Sequence, residues 1–129
     1  MRLWHIDIIP YLPKTQLIAQ WRELNNIFVH QPKHILINYI YNYPKEVLKD
    51  YAQTVIWEMQ YRGYKIKSTK KFDDYFKGIK TDATNRFEEH DDYYLKICYY
   101  NLTEKFLRGQ KDYTSSCWKK LNDAIKDKL

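Results

Sequence analysis

The stretch Leu17–Phe28, LIAQWRELNNIF, constrains this chain more than any other. Leu17, Trp21, Leu24 and Phe28 recur at the i, i+4, i+7, i+11 spacing of one helical face, so the segment reads as an amphipathic helix. At about 100° per residue, Arg22 and Glu23 fall on opposite flanks of that stripe, neither at its centre nor directly opposite it. A charged pair beside a buried seam is held rigidly and still reaches a cleft. An ordinary solvated flank carries such pairs as well.

The remaining chain supplies the partners that this helix needs. Residues 1–12, MRLWHIDIIPYL, lack a helical period and read as an extended arm, too apolar at Leu3, Trp4, Ile6, Ile8 and Ile9 to float free. Pro13 suits the first position of helix 1, where its missing N–H costs nothing. After a connector over residues 29–43, in which Ile35–Tyr41 reads as a short buried helix or strand, Pro44 and Gly63 start and stop helix 2. Leu48, Ala52, Val55 and Met59 form its stripe, and Arg62 in the last turn suits the helix dipole. Tyr64–Arg86 mixes lysines with aromatics around Gly78 and reads as a long surface loop with one helical turn at most. Helix 3 runs from Asp91 to Arg108 with Gly109 as its stop, and a last helix covers Ser115–Lys128. The expected architecture is an all-α, compact bundle: one domain over residues 1–129, three main helices plus a C-terminal helix, and an N-terminal arm.

At 129 residues the chain is long enough to bury a core without staples. Cys98 and Cys117 lack CxxC spacing, and His5, His30, His34 and His90 are scattered, so neither a disulfide framework nor a metal site is expected. No apolar run reaches membrane-spanning length and Asp7, Pro10 and Pro13 break any leader-like segment, which points to a cytoplasmic protein with no membrane partner. Lys+Arg 22 against Asp+Glu 16 leaves a net charge of +6, and that excess favours an anionic partner such as nucleic acid. The aromatic content of 17% leans the same way, since rings beside cations stack on bases. The bland reading of the basic Tyr64–Arg86 stretch is a solvated lysine loop. GxGxxG, Walker, GxSxG and HExxH patterns are all missing from the sequence.

Three stretches resemble one family in chain order. Leu17–His34 reads Trp21-Arg22-Glu23-Leu24, then Phe28, then Lys33-His34. Gln60–Lys67 carries an Arg-Gly-aromatic-x-Ile-Lys pattern, and Asn101–Phe106 is NLTEKF. Together they resemble the phage endonuclease V-type pyrimidine-dimer DNA glycosylases, in a bacterial branch opening MRLWH. That resemblance implies a cofactor-free, monomeric glycosylase and abasic-site lyase acting on damaged double-stranded DNA. The α-amine at the chain start attacks C1′ of the damaged nucleotide, expels the base and forms a Schiff base. An α-amine is partly neutral at physiological pH without a tuned lysine. Carried over residue by residue, the catalytic set is Met1, Arg2, Glu23 and Arg22, with Trp21, Lys33, His34, Lys65, Lys67 and Lys105 as DNA contacts. Glu23 stabilises charge developing at the sugar and shuttles protons, and Arg22 grips a phosphate or fixes the Glu23 rotamer.

The departures are specific. The family's nucleophile is a small residue exposed by loss of the initiator Met, whereas Arg2 here favours retention of Met1 and displaces the amine by one residue. Asn25-Asn26 replace a Pro-Arg, Gln16 a histidine and Asn101 a phosphate-gripping arginine. Two other classes fit the same residues: a non-catalytic nucleic-acid-binding module on this fold, and a protein-interaction bundle.

Overall fold

The computed structural model describes residues 1–110 and 112–129. It is all-α: among the described residues there is no strand. Five α-helices occur among the described residues: α1 (Lys14–His30), α2 (Lys45–Tyr61), α3 (Lys70–Tyr75), α4 (Asp92–Leu107) and α5 (Ser115–Ile125). Among the described residues, 3-10 segments precede α1 at Ile6–Tyr11, link α1 to α2 at Asn38–Asn42 and follow α5 at Lys126–Lys128.

Local chemistry accounts for the helix boundaries. Pro13 and Pro44 occupy the N-cap positions of α1 and α2, and Asp112 accepts from both the Thr15 N–H and its hydroxyl, capping α1 from a distant part of the chain. Asp91 and Thr114 cap α4 and α5 with their own side chains. Gly63 takes φ +78, with Tyr64 N–H on Met59 O at 2.9 Å and Gly63 N–H on Gln60 O at 3.0 Å, a Schellman closure. Gly109 ends α4 in the same way.

The buried face of α1 is Leu17, Gln20, Leu24, Ile27 and Phe28. It is turned toward Glu23 relative to the stripe drawn from the apolar residues alone. Trp21 is therefore only half-buried, Arg22 is exposed on the outer face and Glu23 is half-buried. Buried residues from every α-helix and the arm join one hydrophobic cluster.

Three expectations need correction. The arm is extended only through His5 and then coils into a 3-10 helix containing Pro10, with Ile8 and Ile9 fully buried. In the connector Ile37 and Ile40 are buried, but Ile35 is 86% exposed, because it lies in the turn that precedes the 3-10 helix Asn38–Asn42. The 64–86 stretch is no free surface loop. Phe72 and Phe76 are buried, and the Phe28 ring lies 6.0, 5.4 and 5.2 Å from the rings of Phe72, Tyr75 and Phe76. Farther along, buried Asp50 on α2 accepts from Thr81 and from the Asn85 backbone and side-chain N–H groups, both at 2.9 Å. These contacts join residues far apart in sequence, so a local period does not reveal them.

Phe28, on α1, packs against Phe72 and Tyr75 of α3. Phe28→Ala is expected to cost about 3–5 kcal/mol of unfolding free energy, read by urea denaturation, and to release α3 first in amide exchange.

Candidate active site

Gln20, buried on α1, ties the chain start to the helix that carries Glu23. Its Oε1 accepts from the Trp4 N–H at 2.8 Å and from the Tyr51 hydroxyl at 3.0 Å. Its Nε2 donates to Arg2 O at 3.2 Å and reaches Glu23 Oε2 at 3.4 Å. The Tyr51 hydroxyl also contacts Trp4 O at 2.6 Å, and the Tyr94 hydroxyl donates to Leu3 O. Every peptide from Arg2 to Trp4 is thereby gripped from α1, α2 or α4.

His5 and Ile6 are held by His90, just before α4. The His90 Nδ1 accepts from the Ile6 N–H at 3.1 Å, so its proton sits on Nε2, 2.8 Å from the Tyr39 hydroxyl. The His5 and His90 rings stack at 5.4 Å. Burial, and then the neighbouring His5 and Arg86, push the His90 pKa down to about 3. Burial likewise lowers His5. Arg62 fastens the other end of the arm, donating to Leu12 O at 2.7 Å and Pro10 O at 3.1 Å while paired with Glu58 at 3.0 Å. The sequence marks Arg62 only as a complement to the helix dipole, whereas its main partners lie across the fold.

This anchoring sets the electrostatics of the chain start. The α-amine acts on the Glu23 carboxyl, together with Arg22. Burial pushes the Glu23 pKa up, and the two cations oppose the rise. Met1 itself is 37% exposed, so the chain start is not sealed in the core. The half-buried Arg2 guanidinium lies 5.8 Å from the centre of the Trp4 ring. Amine, proton-accepting carboxylate and nearby guanidinium form a constellation suited to attack at an electrophilic carbon and to proton transfer beside it.

The proposed DNA contacts separate into groups. Trp21, Lys65 and Lys67 line one groove of about 760 Å³ between α1, the end of α2 and the segment leading into α3. Lys33 and His34 are exposed just past α1, where His34 Nδ1 accepts from the Leu36 N–H at 3.1 Å. Lys105 is half-buried in the last turn of α4. None of those three lines the groove. Among the described residues no group of three or more His, Cys, Asp or Glu side chains could hold a metal ion, and no helix is long and apolar enough to cross a membrane.

Gln20, Tyr51, Tyr94 and His90 carry no functional motif in the sequence. For Gln20 a signal existed: a polar residue set three after Leu17 and four before Leu24, on the apolar face, must find buried partners.

Fold and site define a small helical protein whose pinned chain start is linked through Gln20 to a half-buried carboxylate. The family model described as pyrimidine dimer DNA glycosylase matches residues 1–72, and the chain belongs to that family. The match contains the arm, Gln20, Arg22, Glu23 and the groove lysines. No curated protein and no solved structure matches the chain.

Gln20→Leu strands the Trp4 N–H and the Arg2 carbonyl, and thermal unfolding should register a loss of roughly 2–4 kcal/mol. A second expectation concerns pH. His90 binds its proton less readily folded than unfolded, so its contribution is complete above its ordinary pKa of 6.5 and is lost as pH falls toward about 3. The melting temperature should therefore drop across that interval, and His90→Asn, which keeps an acceptor for the Ile6 N–H, should flatten the slope.

Proposed function

We propose that this member of the family is a DNA-repair glycosylase and abasic-site lyase, working as a one-domain cytoplasmic monomer on damaged double-stranded DNA. The observation that carries this reading is the Gln20 bridge, which joins the first peptides of the chain to the Glu23 carboxyl. The Met1 amine attacks C1′ of a pyrimidine-dimer nucleotide or a related lesion. The glycosidic bond breaks toward the base and the nitrogen gives up a proton; its lone pair then expels the ring oxygen O4′, which takes up a proton, and the opened sugar is held as a protonated Schiff base. Loss of a C2′ proton then expels the 3′ phosphate and cuts the strand. Glu23, as the carboxylate, stabilises positive charge at the sugar and moves protons at C1′ and C2′. Arg22, exposed beside it, grips a backbone phosphate. Arg2 orders the chain start, and Trp21, Lys33, His34, Lys65, Lys67 and Lys105 contribute to the DNA surface.

A second reading, a binding module without chemistry, is favoured by one feature: Arg2 behind a retained Met1 displaces the amine relative to the family's nucleophile.

Borohydride trapping separates the two. Wild-type protein is expected to give a covalent band on a denaturing gel with duplexes bearing a thymine dimer or an abasic site. Glu23→Gln should abolish the band with the dimer. Since burial raises the Glu23 pKa, the rate with the dimer should decline as pH falls through values above the usual glutamate range. Absence of a band with either duplex, in protein whose amine is shown by mass spectrometry to be unblocked, would leave the binding module.

A further inference from the structure

The groove beside Trp21 lies on the other side of α1 from Glu23. At about 100° per residue, Ile18, Trp21 and Asn25 project roughly opposite Glu23, with the helix body, about 10 Å across, between them. The groove has its own construction. Five lysines line it, Lys14, Lys65, Lys67, Lys70 and Lys71, and no carboxylate does. Among the described residues only Lys70 of the five has a carboxylate partner, Asp74 at 2.6 Å.

The lysines are placed by backbone geometry. Residues 64–69 run without helix from the Gly63 turn to α3, and side chains there alternate, with Tyr64 and Ile66 half-buried and Lys65 and Lys67 exposed. Successive residues of extended chain face opposite ways, so Lys65 and Lys67 share one rim. Between the rims the floor is apolar, made by Ile18, Met59 and Ile66. Trp21 leans edge-on against Phe28, with ring planes 71° apart, while Tyr64 already carries the Lys14 ammonium 5.4 Å from its ring centre. Asn25, which also lines the groove, donates its Nδ2 to Trp21 O at 2.8 Å.

We propose that this groove takes one nucleotide unit, a planar base over the Trp21 side and a phosphate among the lysines, an inference that rests on the assignment of Trp21, Lys65 and Lys67 to the DNA surface. A volume of about 760 Å³ suits a ligand of that size. An inorganic anion alone would leave the apolar floor wet, and an uncharged ring would leave four ammonium groups repelling one another. Lysine is a point-charge phosphate binder, and ring stacking tolerates any base. The nucleotide arrives free or within a single strand. The site does not depend on the α-amine or on Glu23.

The test uses undamaged ligands and amide and indole NMR shifts of the intact protein. Thymidine monophosphate should move the Trp21 indole, assigned through Trp21→Phe, and the 64–71 amides. Inorganic phosphate should leave the indole in place. The double variant Lys65→Glu/Lys67→Glu, altered only at exposed positions, should bind roughly tenfold or more weakly while melting as the wild type does. Tighter binding of a short oligothymidylate at the same resonances assigns the ligand to a strand, and equal or tighter binding of the mononucleotide assigns it to the free pool. An unmoved indole, an identical response to phosphate alone, or unchanged affinity in the double variant overturns the proposal. Because no lesion is present, failure here is independent of the trapping result.

Discussion

A single buried amide organises the molecule. Gln20 uses both its acceptor and its donor end, and its partners are the arm, α2 and Glu23. A peptide N–H taken from water without a partner costs roughly 1–3 kcal/mol, so the arm docks only where its amides are received. Trp4 and Leu3 supply hydrophobic adhesion, but adhesion alone would let the arm slide. The directional bonds from Gln20, Tyr51, Tyr94 and His90 select one register. That register decides where the α-amine stands.

The protein places its charges in two distinct settings. Near the chain start they are few and surrounded by buried groups, and burial raises Glu23 while depressing His5 and His90. His90 stays neutral for this reason, and a neutral ring is what can accept from the Ile6 N–H. Along the groove on the opposite flank the lysines are exposed, lack carboxylates among the lining residues and rest on an apolar floor. One setting suits reaction at a held atom, the other capture of an anion. They share α1 because a helix presents independent flanks about 180° apart.

Much of this could be read from the chain. Helical periodicity, proline and glycine punctuation and the side-chain caps mark the long helices to within a few residues, because those signals act within one or two turns. The family is legible as well, since the Trp21–Leu24 and Arg62–Lys67 patterns lie inside the matched region. The packing of the 64–86 stretch is hidden from the sequence for the opposite reason. Phe72 and Phe76 gain their burial from Phe28, more than forty residues away, and no local period announces that.

The sequence by itself determined the all-α class, the positions of the long helices, the basic balance and the kinship with DNA glycosylases, all of which follow from composition, local hydrogen bonding and motif order. Only the tertiary structure decided that the arm coils after His5, that Gln20 links it to Glu23, that Arg22 faces outward, and that Trp21 joins Lys65 and Lys67 away from the chain start. Those outcomes depend on contacts between residues distant in the chain, where packing chooses which flank of α1 is buried.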